Sequence, residues 1–282
     1  MMTLLLALAL QDAPPPAPTA EERSVVEAVN ATLVKGSWAF RVVPKADLRD
    51  ALPQDAAVLA GVPVSGSRAA DGTFRASDGR LEMFGRNGVF ILNAPDGPLR
   101  IEEAATALWR EVEIEYGDGR ENSRNVTRAK NLMRQYLAIA HFYVYAAAPE
   151  HVIARPATDL VKLRRSGAET VDDSKCTVYS GDMKEEAAKA HLGRPFGELM
   201  RRGGFSLAGA SGKGRVWINA GGLVRRTEFT ASGKFVVAND RDSKRNVPVA
   251  ITVVCDLTRY GEATVEVPSK IERMLKELPP IK

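Results

Sequence analysis

Four turn dipeptides crowd into one short stretch and limit what this chain can become. Asp71-Gly72, Asp78-Gly79, Asn87-Gly88 and Asp96-Gly97 follow one another closely. Asp-Gly and Asn-Gly supply the positive φ angles of two-residue hairpin turns. Between them stand the short β-like runs VPVSGS, GTFRAS, GRLEMFG and NGVFILN. This spacing predicts an antiparallel meander. In the run LWREVEIEY that follows, Glu111, Glu113 and Glu115 point to one side, and Val112, Ile114 and Tyr116 to the other. Such alternation gives a sheet one wet face and one apolar face. The glutamate row fits a solvated face better than a metal site, which needs hard ligands converging on one point.

Helical patterns flank the meander. Val25, Val26, Val29 and Leu33 form a stripe over residues 20–35, which Gly36 ends. SWAFRVV then alternates, with Trp38, Phe40 and Val42 on one side. A short helix is expected around Leu48–Leu52. Residues 122–148 carry the longest helical stripe, so wide that the helix must be covered on more than one side. It is expected to lie across the apolar face of the sheet.

The second half repeats the style. DDSKCTVYSG reads as a strand, and MKEEAAKAHLG as a helix stopped by Gly193. GFSLAG, GRVWINA, GLVRRTEFTA, GKFVVA and VPVAITVVCDL read as short strands, with turns at Gly221-Gly222 and Ser232-Gly233. GEATVEV leads through Pro268 into a last helix, SKIERMLKEL. The whole is α+β: a large antiparallel sheet with helices gathered on one face.

Little in the sequence carries chemistry. The chain has 39 Lys+Arg against 35 Asp+Glu, and the excess of +4 is spread along it. With no regular aromatic interleaving of its basic clusters, no nucleic-acid partner is expected. Three His and two Cys are too few for a zinc ribbon or an iron–sulfur ligand set, so neither metal nor cofactor is expected. GASGKG from Gly209 imitates a phosphate loop, but Leu207 and Gly214 occupy the places of the required Gly and Ser/Thr. It reads as a hairpin loop. GFSLA imitates a nucleophile elbow, but Ala208 ends it and no helix follows. His141, His151 and His191 have no evident nucleophile or carboxylate partner in the sequence. The chain is not expected to be an enzyme.

The N-terminus addresses the compartment. Leu4–Leu10 is apolar but too short to span a bilayer, and Ala7 and Ala9 offer a small-x-small cleavage site. Pro14, Pro15, Pro16 and Pro18 then form a stiff linker. The expected organisation is an export signal at 1–10, a Pro-rich linker at 11–21 and a single domain at 22–282. A soluble, monomeric, periplasmic or secreted product follows, with no Cys after the apolar run to accept a lipid. Cys176 and Cys255 are the whole thiol inventory. Export would permit one disulfide between them. Their apolar neighbours fit two buried free thiols as well.

Three stretches carry a family resemblance: YSGDM from Tyr179 with Glu185 and Ala188, RVWINAGGLVRRTE from Arg215, and DLTRYGEATVEVP from Asp256. Together they resemble the lipoprotein-carrier (LolA-like) superfamily, particularly its LppX/LprG-type branch. The resemblance covers residues 173–268, and Asn219 stands where the family more often has Asp. It implies an incomplete β-barrel, with helices covering the concave face and space there for acyl chains of a lipid or lipidated protein. The absent lipidation cysteine departs from the branch and favours a soluble shuttle with transient membrane contact.

The apolar lining would come from the residues in phase on the strands: Trp38, Phe40, Phe74, Leu81, Met83, Val89, Ile91, Val112, Ile114, Val178, Val216, Ile218, Val249, Ile251 and Val253. Fully packed helices would make this set a core. Helices that stand off would leave a pocket. The two corresponding functions are a non-catalytic carrier or binder of an apolar ligand, and a protein-interaction or sensor domain of the same fold with no bound lipid.

Overall fold

A computed structural model of the chain describes residues 17–47, 63–94, 97–101, 149–193, 205–238 and 244–279. The expected strand LWREVEIEY, the expected helices at Leu48–Leu52 and 122–148, and the export signal lie outside these residues, as do Val112, Ile114 and His141.

Helix α1 (Ala20–Val34) starts within the Pro-rich stretch. Thr19 caps it: its Oγ1 accepts from Glu22 N–H at 3.1 Å, and Glu22 Oε2 accepts from Thr19 N–H at 2.9 Å. This reciprocal box satisfies two orphan donors. Gly36, at φ +70°, turns the chain into strand β1 (Trp38–Asp47). Then come β2 (Val64–Arg68), β3 (Phe74–Ser77), β4 (Glu82–Arg86), β5 (Val89–Ala94) and β6 (Gly97–Arg100). The turn dipeptides behave as their chemistry requires. Asn87 and Gly88 both have positive φ, +51° and +77°, the signature of a two-residue hairpin turn.

The second half holds helix α2 (Pro149–Asp159), strands β7 (Leu160–Val171) and β8 (Ser174–Met183), and helix α3 (Glu185–Gly193). Strands β9 (Phe205–Asn219), β10 (Val224–Ala238) and β11 (Lys244–Thr258) follow, then helix α4 (Ser269–Glu277).

The eleven described strands form one antiparallel sheet in the order β6-β5-β4-β3-β2-β1-β11-β10-β9-β8-β7. Two meanders are thus joined by one long-range pairing, β1 with β11. β6 and β7 lie at opposite ends, so the sheet stays open as a curved half-barrel.

The sequence divides β9 and β10 into two strands each, at Gly209–Gly214 and at Ser232-Gly233. The structure corrects this: each is one strand of 15 residues. Gly212 and Gly214 serve close approach rather than turning. A Cβ on Gly212 would lie 2.5 Å from Met183 Sδ, and one on Gly214 would lie 2.6 Å from Leu160 Cδ2. A register shift opposite Ser232 and Lys234, with Gly209 at φ +62°, absorbs the irregularity as a bulge.

Helices α1, α2 and α3 cover what we call the inner face, over β7 and β9–β11. The last helix is an addition on the other side: α4 packs on the outer face, against β4 and β5. Its anchors Ile271 and Leu275 meet Phe84, Val89 and Ile91. Arg86 fixes it with a two-pronged pair, Nη1 to Glu272 Oε1 at 2.9 Å and Nη2 to Oε2 at 3.1 Å.

Candidate functional site

The inner face is a continuous apolar surface. Of the fifteen residues expected to line it, Trp38, Phe40, Phe74, Met83, Val216, Ile218, Val249, Ile251 and Val253 join one buried cluster with residues of α1, α2 and α3. Leu81 packs against its edge, partly buried. Register explains the gathering: Phe40 pairs with Leu257, Phe229 with Val253 and Val216 with Thr227, so in-phase positions of neighbouring strands share a face.

Val89 and Ile91 lie instead on the outer face beneath α4. Val178 lies on the outer face too, in a small cluster with Val171, Cys176 and Trp217. The reason in β5 is physical. Its inner residues Phe90 and Leu92 are apolar as well, because both faces of this hairpin are covered. A strand buried on both faces reads as an unbroken apolar run and hides its phase.

The disulfide is overturned. Cys176 and Cys255 are both buried and both free. Cys176 sits in the outer cluster and Cys255 in the inner one. Strands β9 and β10 separate β8 from β11, so about 14 Å of sheet lies between the thiols. A bridge requires Cα atoms within about 7 Å.

The residues of the inner cluster are shielded from solvent, each 8% exposed or less. Glycines in the strands admit the large side chains. A Cβ on Gly85 would overlap the Phe74 ring, and one on Gly66 would lie 2.6 Å from Phe40 Cζ. Two buried polar atoms of this face, Trp38 Nε1 and Thr227 Oγ1, make no hydrogen bond among the described residues. Thr32 ties α1 to the sheet by accepting from Val224 N–H at 2.9 Å while donating to Ala28 O at 2.8 Å.

One charged constellation is set into this surface. Arg155 and Asp159 lie one turn apart on α2, and Arg155 Nε donates to Asp159 Oδ2 at 2.8 Å. Arg155 Nη1 lies 2.9 Å from His191 Nδ1 on α3. Arginine only donates, so this ring nitrogen accepts. The guanidinium carbon sits 4.4 Å from the centroid of the Phe229 ring. The sequence offers one weak signal for this group, an acid four residues from an arginine. The rest is hidden because the α2–β7 segment carries no strong period: β7 is an edge strand, broken by register shifts and left-handed backbone at Lys162 and Gly167.

The outer face differs. Beside the Trp217 cluster it opens into a groove of about 820 Å³ over β7–β10, lined by Lys162, Arg164, Ser180, Asp182, Lys213, Arg215, Glu228 and neighbouring residues. Trp217 itself is closed off by Arg215, 4.4 Å above its ring, and donates from Nε1 to Glu169 Oε2 at 2.9 Å. That bond, with Arg215, holds the Glu169 carboxyl below its ordinary range. Among the described residues no group of three or more His, Cys, Asp and Glu could hold a metal, and no helix is long and apolar enough to cross a membrane.

These features define an α+β half-barrel with a helix-covered apolar inner face. No family model and no curated protein matches the chain. Among solved structures it is similar to the lipoprotein LppX of Mycobacterium tuberculosis, at 10% identity, covering 88% of this chain and 98% of that one, with a TM-score of 0.44. It is also similar to LprF from Mycobacterium bovis, at 12% identity over 88% and 96%, with a TM-score of 0.39. A third similar structure is a putative outer membrane lipoprotein-sorting protein domain from Vibrio parahaemolyticus, at 9% identity over 91% and 100%, with a TM-score of 0.28.

Proposed function

We propose that this chain is a non-catalytic, extracytoplasmic carrier or binder of an apolar ligand, either lipid acyl chains or a lipidated protein. The observation that supports this most directly is the continuous apolar inner face of an open sheet, roofed by three helices over β7 and β9–β11. A closed barrel would fix the volume of its interior. An open sheet can take up a ligand when its covering helices shift. Export as a monomeric, soluble protein through residues 1–10 belongs to the same reading.

The near-complete burial of the inner cluster beneath its helices supports a second reading, an interaction or sensor domain with no bound lipid. Ligand uptake separates the two. The protein, purified after export, is extracted with organic solvent and the extract analysed by mass spectrometry, and the stripped protein is titrated with a fluorescent fatty acid. Stoichiometric lipid or saturable uptake is the expected result. A clean extract with no uptake overturns the carrier and leaves the interaction domain.

A further inference from the structure

Arg155 is a full charge in a largely apolar setting. Its side chain is only 13% exposed, and burying a guanidinium is costly unless its hydrogen bonds are met. They are met in part. Nε serves Asp159, Nη1 serves His191, and the flat of the group stacks on Phe229, but Nη2 makes no hydrogen bond among the described residues. Asp159 is itself held by a second donor, Thr158 Oγ1 at 2.8 Å. The guanidinium is therefore fixed in place by three contacts with a donor to spare.

Its surroundings are apolar. Phe229 pairs with Gly214 on one side and Val253 on the other, so the ring beneath the cation belongs to the main apolar surface. An amphiphile laid along that surface would bring its head to the cation and its chain to the aromatic and aliphatic floor. Guanidinium groups recognise carboxylate and phosphate oxygens by directed, charge-assisted bonds.

We propose that Arg155 is the head-group anchor of the inner face, and that the ligand is an amphiphile with an oxyanionic head, carboxylate or phosphate, on an alkyl chain. This rests on the carrier reading and sharpens it by naming the charge of the ligand. Asp159 and His191 act as positioning residues. Asp159 also competes with the ligand for the same cation, and so weakens binding as it orients the fork.

The test compares three probes of equal chain length on the full chain: a fluorescent fatty acid, its methyl ester and an alkyl phosphate. The wild-type protein is expected to bind the acid or the phosphate at least tenfold more tightly than the ester, and whichever anion binds better identifies the head. Arg155→Gln should abolish the preference, weakening binding of the anion at least tenfold more than binding of the ester. Because that change leaves Asp159 without its ion partner, Arg155→Gln/Asp159→Asn serves as a charge-balanced check and should behave alike. Asp159→Asn alone should tighten anion binding several-fold, which a purely structural ion pair would not do. Equal binding of acid, phosphate and ester by the wild-type protein, or an anion preference that survives both Arg155 variants, overturns the anchor and leaves the carrier standing. Binding of none of the probes overturns the carrier reading and the anchor with it.

Discussion

The two faces of this sheet are built from the same strands and obey different rules. The inner face is one apolar surface running from Leu92 on β5 to Met183 on β8, with three helices over its β7 and β9–β11 part. The outer face is apolar in two separate patches. One lies under α4 on β4 and β5, and the other surrounds Trp217 on β8 and β9. Over β7–β10 it is a polar groove with charges of both signs. In both outer patches the apolar side chains have cover: a helix in the first, and the arginine over an indole in the second. The inner face needs such cover along its whole length. That requirement makes it the surface on which a ligand could substitute for a helix.

Mutations should reveal the asymmetry, beginning with the inner face. Phe229→Ala removes a fully buried ring from the centre of the inner cluster. A loss of about 3–5 kcal/mol is expected from buried Phe→Ala changes, read as a lowered denaturation midpoint. A loss under about 1 kcal/mol would mean that the face is loosely filled and already a pocket. Ile271→Ala on α4 should cost about 2–4 kcal/mol by the same principle. Its effect should stay local. Hydrogen exchange is expected to rise in β4 and β5 and to remain unchanged in β9–β11. A uniform rise would show that the two faces form one cooperative unit.

The sequence disclosed the two halves of the sheet unequally. The N-terminal meander is legible because its turns demand positive φ, and Gly72, Gly79 and Gly88 duly show it. The long strands β9 and β10 are not. Gly212, Gly214 and Gly233 look like turn formers, but they let Met183, Leu160 and Leu192 approach the backbone. Edge strand β7 escapes because a mostly exposed strand has few apolar residues to set a period: Leu160, Leu163 and Val171 are its buried residues. Which residues share the inner face was largely legible from alternation. It failed at Val89, Ile91 and Val178, where covering from the outer side makes both phases apolar or displaces the apolar phase outward. The thiols show the same limit. Sequence gives each cysteine a strand but not its face.

The α4 clamp supplies a graded, pH-dependent test. Hydrogen bonding from Arg86, with help from Lys276, lowers the Glu272 carboxyl below its usual value. A carboxylate whose folded pKa is depressed stabilises the fold above its unfolded pKa, and the contribution fades as pH falls through the folded value. Glu272→Gln should therefore cost about 1 kcal/mol at pH 7, as expected for a partly exposed paired carboxylate. The stability gap between wild type and variant should close progressively below about pH 4, where an ordinary Glu takes up its proton. A gap that persists unchanged into stronger acid would mean that the substituted amide disturbs the packing of α4 rather than its charge.

The smallest expected effect is none at all, and it tests the separation of the faces most directly. Burial raises the thiol pKa of Cys176, and raises that of Cys255 much further, so neither presents a thiolate near neutral pH. The native protein should show no reactive thiol toward a disulfide reagent and two once denatured. Adding reductant should leave the melting temperature unchanged within error. A single bridge would normally contribute a few kcal/mol. A reductant-sensitive melt, or a mass lower by two hydrogens, would require β8 and β11 to approach each other and the faces to exchange residues. Neither can happen while β9 and β10 stand between them with Cys176 outside and Cys255 within.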